Sequence, residues 1–131
     1  DLHLEVACRY GKPVVLEEFG FPRDGFSFSK SSSVKARDKY YSYIFDRVVE
    51  SANEGGLFAG VNFWGWGGSA LQSGTGVYWR PGDDYCGDPA QEPQGLNSVY
   101  SDDLSTLAVI RNAASRLAPS GGKYSVPSQK N

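Results

Sequence analysis

Two short apolar runs constrain the fold of this chain more than anything else in it. Pro13-Val14-Val15-Leu16-Glu17 and Phe58-Ala59-Gly60-Val61-Asn62-Phe63 are close to continuously hydrophobic. Strands buried on both faces read this way, and such strands belong to parallel sheets. Helical patterns flank and separate them. Residues 2 to 10 read as the end of a helix, closed by Gly11 and stopped by Pro13. A second helix starts near Ser33 as its N-cap, with Tyr41, Ile44, Phe45, Val48 and Ala52 on one stripe. Lys39, Asp46, Arg47 and Glu50 are left to face water, and Gly55-Gly56 ends that helix. A last helix carries Leu107, Ile110, Ala114 and Leu117 on one side. The order helix, strand, helix, strand, helix predicts an α/β fold with parallel strands joined by right-handed crossovers. Two parallel strands cannot cover both faces of a sheet alone, so the pattern asks for neighbours supplied from elsewhere.

The 131 residues suffice for one domain with a sizeable core and are short for two. With 13 Lys and Arg against 15 Asp and Glu, the formal charge is −2, which argues against a nucleic-acid partner and its clustered basic face. No run of about 18 apolar residues spans a membrane. The chain has no Met and opens at Asp1 directly into helical pattern, without a signal peptide, so it is expected to be a piece of something longer. Cys8 and Cys86 could pair, as in an exported protein, or remain two free thiols. A single histidine, His3, leaves little for a Ser-His-Asp triad or a His-based metal site. The 18 aromatic and 16 Gly residues suit a carbohydrate surface.

Enzymes of the α/β class place their sites at the carboxyl ends of parallel strands. Here one strand ends in Glu17-Glu18-Phe19-Gly20 and the other in Trp64-Gly65-Trp66. A carboxylate at one strand end beside an indole at the next is the layout of a sugar-cleaving site. The carboxylate attacks or steadies the anomeric centre, and the indole offers the pyranose a flat face. Successive side chains on a strand alternate, so only one of Glu17 and Glu18 can face inward; the other is a structural acid. Trp66, Trp79, Arg23 and Asp24 are further candidates for outer sugars, with a surface ion pair as the plain alternative for the last two. Tyr40, Tyr41 and Tyr43 read as core and helix-surface aromatics. Asp83-Asp84 is a weak Ca²⁺ pattern, and Gly65-Trp66-Gly67-Gly68 lacks the Lys of a phosphate loop. The irregular stretch of more than 30 residues after Gly68 is long enough to be functional.

Lys12-Pro13-Val14-Val15-Leu16-Glu17-Glu18-Phe19-Gly20 resembles the seventh-strand motif of glycoside hydrolase family 5, and Phe58 through Gly68 resembles its eighth strand. Phe21-Pro22-Arg23-Asp24-Gly25-Phe26-Ser27 and Asp88-Pro89-Ala90-Gln91-Glu92-Pro93-Gln94-Gly95-Leu96-Asn97-Ser98 extend the likeness, closest to bacterial endo-β-1,4-mannanases. The resemblance implies that residues 1–118 are the C-terminal part of a (β/α)₈ TIM barrel: the end of helix 6, strand 7, helix 7, strand 8 and helix 8. Residues 119–131 would be a polar tail. It further implies a retaining hydrolase of β-1,4-mannan without cofactor or metal, with Glu18 as nucleophile and Trp64, Trp66 and Arg23 on the substrate. The family's acid/base Glu sits in an Asn-Glu-Pro-type motif that this chain lacks, so the chain alone is expected to be inactive. Its expected partners are the polysaccharide and either the missing barrel segments or copies of itself, at an extracellular, periplasmic or cell-surface location. A β-glucan-cleaving member of the same family and a non-catalytic carbohydrate-binding module are the alternatives.

Overall fold

The computed structural model describes residues 2–117; the tail expected at 119–131 lies outside the described residues. Helix α1 (Leu2–Tyr10) leads into strand β1 (Val14–Phe19), helix α2 (Lys35–Asn53) and strand β2 (Phe58–Phe63). Short strands β3 (Trp66–Gly68) and β4 (Val99–Tyr100) precede helix α3 (Leu104–Leu117), and a single 3₁₀ turn occupies Asp24–Phe26. β1 and β2 are parallel neighbours with α2 as their crossover. This is the expected α/β unit and excludes the β-sandwich of the carbohydrate-binding alternative. α1 ends as its sequence dictates: Gly11 takes a φ of 60°, and Lys12 N–H returns to Ala7 C=O at 3.0 Å.

The core lies between α2, α3 and the sheet. Phe19, Tyr41, Phe45, Val99 and Ala113 form its centre, and Leu16, Val61, Phe63, Leu107 and Ile110 pack around it. On α2 the buried stripe is Tyr41, Phe45, Val48 and Val49, with Arg37 buried at its start, whereas Ala52 is exposed. On α3 the inward face matches the expected one at Leu107 and Ile110 and departs from it elsewhere. Thr106 and Ala113 are buried, while Ala114 and Leu117 point outward. The Thr106 hydroxyl donates to Asp38 Oδ1 on α2 at 2.5 Å, and that bond fixes which face of α3 turns inward. The strands also depart from burial on both faces. Val15 is 48% exposed, and Ala59 and Asn62 are exposed, because α2 covers one face of the two-stranded sheet and nothing among the described residues covers the other.

The cap of α2 comes from further away than expected. Ser33 is not its principal N-cap; Asp24, from the 3₁₀ turn, accepts from Ala36 N–H at 2.9 Å and Lys35 N–H at 3.2 Å. A carboxylate on the free amides at a helix start is stabilised by hydrogen bonds and the helix dipole. The Ser33 hydroxyl and the Ala36 N–H accordingly hold the Asp24 carboxyl below its ordinary value of 3.8. A carboxyl lowered in the folded state adds stability above its unfolded value, and that stability disappears as pH falls through the folded value. Asp24→Asn should therefore narrow the difference in urea midpoint between neutral and acid pH, measured by circular dichroism from pH 7 to pH 2.

The long stretch after Gly68 is irregular but tied together. β3 and β4 lie parallel, Trp66 opposite Val99 and Gly68 opposite Tyr100. The buried Gln94 carboxamide donates to the carbonyls of Asp88, Pro89 and Glu92 and accepts from Cys86 N–H. Asp88, also buried, accepts from Gly95 N–H at 2.6 Å and Ser98 Oγ at 3.1 Å. Cys86 is buried and Cys8 exposed on α1, and both are free thiols, which resolves the open pairing question against a bridge.

Candidate active site

The ends of β1 and β2 meet at one hollow, lined by Glu18, Phe19, Gly20, Trp64 and Asn97. The register shows how Glu18 arrives there. Leu16 pairs with Val61 and Phe19 with Phe63, so β1 carries one residue more than β2 over this step. The extra residue falls at Glu17-Glu18. Such a bulge interrupts simple alternation and re-aims a side chain. Both glutamates are exposed, so burial does not separate them, but only Glu18 borders the hollow.

Backbone contacts lock the two strand ends. Trp64 N–H donates to Phe19 C=O at 2.7 Å, and the Trp64–Gly65 peptide is cis. Gly20 is required by close approach: a Cβ there would stand 2.7 Å from the Trp64 carbonyl oxygen. Behind them, Tyr41 packs edge-on against Phe19 at 4.9 Å and near Phe63 at 5.9 Å, and its hydroxyl donates to Trp64 C=O at 3.3 Å. Burial pushes the Tyr41 phenol well above its ordinary value, so it stays a neutral donor. Trp64 itself is half-buried, and its indole N–H has no acceptor among the described residues. A Trp serving only the core ordinarily has that N–H bonded.

The other candidates divide. Arg23 is not available to sugar. It is 1% exposed, its guanidinium is bidentate to Asp103 at 2.7 and 2.8 Å, and it donates to Ser32 C=O at 3.0 Å. The expected outer-sugar contact is corrected to a buried ion pair, because Asp103 at the start of α3 draws the side chain inward. Trp66 is 53% exposed and leans edge-on against Phe63 at 6.5 Å, outside the hollow's lining. Trp79 N–H donates to Asp83 C=O at 3.0 Å, which makes it a loop staple. Asp83 accepts from Ser73 Oγ and Arg80 N–H, and Asp84 from Leu71 N–H, so these acids brace the loop. Among the described residues no three His, Cys, Asp or Glu side chains gather as a metal site, and no helix is long and apolar enough to cross a membrane.

Several residues that shape this site carry no pattern of their own. Asn97 lies in the Asp88–Ser98 run yet is not distinguished there as a site residue. Arg37 is fully buried and donates to the carbonyls of Phe21 at 2.8 Å and Ser98 at 2.9 Å, and to Asp103 at 3.4 Å. Desolvation lowers its pKa, with Asp103 among the charges opposing that shift. A wider hollow lined by Leu4, Cys8, Glu50, Glu54 and Phe58 opens where β2 begins, away from the strand ends that carry Glu18 and Trp64. Position decides against it as the reaction site.

Strand ends of this kind in an α/β unit are where such enzymes place their sites, and comparison with known proteins gives the family. The model of glycoside hydrolase family 5, beta-mannosidase-like, matches residues 1–121, and the chain belongs to that family. It is similar to a family 5 mannosidase of Rhizomucor miehei, with TM-score 0.75 and 31% identity over 88% of this chain and 29% of that one. A glutamate-to-alanine variant of that mannosidase is known in complex with mannosyl-fructose. Mannan endo-1,4-beta-mannosidase 3 of Arabidopsis thaliana is 27% identical over 124 residues, 94% of this chain and 25% of the relative. An endo-beta-1,4-mannanase of Thermotoga petrophila aligns with TM-score 0.52 and 25% identity, over 92% of this chain and 21% of that one. The chain thus spans under a third of the length of each of these relatives.

Proposed function

We propose that this chain is the nucleophile-bearing part of a retaining endo-β-1,4-mannanase that acts outside the cytoplasm on polymeric mannan. The observation that carries the reading is the single hollow shared by Glu18, at the end of β1, and Trp64, just beyond β2. In this reading Glu18 attacks the anomeric carbon while the indole of Trp64 supports the ring. The glycosidic C–O bond breaks, and its oxygen takes a proton from a second carboxylic acid. Water then opens the glycosyl ester, returns a proton to that second group, and frees the Glu18 carboxylate. Retention needs the two carboxyls about 5–5.5 Å apart. The hollow's lining holds one carboxylate; in this reading the acid/base comes from a segment other than this chain, and the chain alone does not turn over glycan. The mannan-cleaving relatives support mannan over β-glucan as the substrate.

Labelling tests the reading. The chain is assembled with the rest of the barrel and treated with 2-deoxy-2-fluoro-β-mannosyl fluoride. Its leaving group needs no acid, and its fluorine slows hydrolysis of the ester. Peptide mass spectrometry should find the added sugar on Glu18. A label on Glu17 or elsewhere overturns the nucleophile assignment, and faster release of sugar from carboxymethyl-cellulose than from galactomannan overturns the substrate.

A further inference from the structure

The tripeptide Leu96-Asn97-Ser98 is held from several sides at once. Arg37 donates to Leu96 C=O at 3.4 Å and to Ser98 C=O at 2.9 Å. Asn97 C=O accepts from Gly65 N–H at 3.4 Å. The Ser98 hydroxyl bonds Cys86 C=O at 2.5 Å and Asp88 Oδ2 at 3.1 Å. Every backbone carbonyl of the three is therefore engaged, and the guanidinium that holds two of them is fully buried. The Asn97 side chain is the exception: its carboxamide makes no hydrogen bond among the described residues, and it lines the hollow with Glu18 and Trp64. Its Oδ1 lies 3.6 Å from where a Cβ on Gly20 would stand, so the missing side chain at Gly20 leaves it space.

Asparagine in a loop ordinarily turns its carboxamide onto the neighbouring backbone. Here Arg37 and Gly65 N–H already serve the carbonyls of that backbone. What remains is a donor and an acceptor on a fixed stem, open to the hollow beside a carboxylate. A carboxamide offers both halves of a hydrogen-bonding pair to adjacent hydroxyls, and a stem fixed beforehand avoids the ordering cost of binding.

From this geometry we infer that Asn97 is a substrate-binding residue, hydrogen-bonding a hydroxyl of the sugar whose anomeric carbon lies over Glu18. The inference rests on the nucleophile reading above, and the test separates the two. In the assembled hydrolase, Asn97→Ala should lower kcat/KM on an aryl β-mannoside, and the rate of labelling by the fluoromannosyl fluoride, each about 10- to 100-fold. Its melting temperature should stay near wild type. Asn97→Asp, of the same shape, places a like charge beside Glu18. The acid limb of its kcat/KM profile should then move to higher pH, which checks that position 97 faces Glu18, while the loss of rate in Asn97→Ala at an unchanged melting temperature reports the contact with sugar.

Wild type labelled at Glu18, with an Asn97→Ala rate within threefold and no shift of the acid limb in Asn97→Asp, overturns the Asn97 role alone. A wild type left unlabelled at Glu18 overturns both readings. Should Asn97→Ala fail to fold, the Asn97→Asp profile decides: an unmoved limb overturns the role.

Discussion

Glu18→Gln in the assembled hydrolase should fold and melt as wild type does, yet lose activity on the order of 10⁴-fold or more. Folding survives because Glu18 is exposed and its carboxylate holds no hydrogen bond among the described residues, so an amide of the same shape disturbs no contact. Activity does not survive, because the amide has neither the charge nor the nucleophilic oxygen needed to form the glycosyl ester. Steady-state rates on galactomannan, measured beside a thermal melt, check both halves. Retention of more than a tenth of the wild-type rate would show that Glu18 is not the nucleophile. Glu17, which lies outside the hollow's lining, is the control; its Gln variant should keep most of the rate.

The second large effect is on stability. Asp103→Ala should destabilise the fold by about 3–5 kcal/mol, read from urea unfolding, because it leaves buried positive charge uncompensated. Asp103 is bidentate to Arg23, contacts Arg37 at 3.4 Å, and accepts from Tyr100 N–H at 2.9 Å. Both arginines are at most 1% exposed, so neither can turn to water without opening the packing of α2 against α3. The same substitution releases the Arg37 arm that holds Leu96 and Ser98. A loss below about 1 kcal/mol would mean that the two guanidinium groups find other partners.

What was legible in the sequence follows from local physics. The stripe Tyr41, Phe45 and Val48 marked the buried face of α2 because each apolar side chain there has one partner surface, and Val14–Phe19 and Phe58–Phe63 were continuous enough to read as strands. Glu18 and Trp64 stood at strand ends, where side chains are open to chemistry. Arg23 was misleading because its partner Asp103 lies 80 positions away; nothing local distinguishes a guanidinium that folds inward from one on the surface. Arg37 was invisible for a related reason: a charged residue in the first turn of a helix looks solvated until the carbonyls it serves are brought to it. The face of α3 was legible only in part: Leu107 and Ile110 do pack on the core, but Thr106 counts as polar by composition and is buried with its bond to Asp38. Asn97 gave no periodic sign at all. Its position depends on Gly65, Arg37 and Asp88 converging from three parts of the chain.

The side-by-side course of β3 and β4 separates loop length from site geometry. Gly68 and Tyr100 are neighbours, so the chain leaves and re-enters this region through one narrow gate. Within the segment that this gate encloses, the stretch around Trp79, Asp83 and Asp84 is braced by bonds among its own residues, whereas Asn97, near the segment's far end, sits in a tripeptide whose carbonyls are held from outside the segment by Gly65 N–H and Arg37. On the reading proposed above, such a layout lets the surroundings of the outer sugars change while the residue beside Glu18 keeps its place.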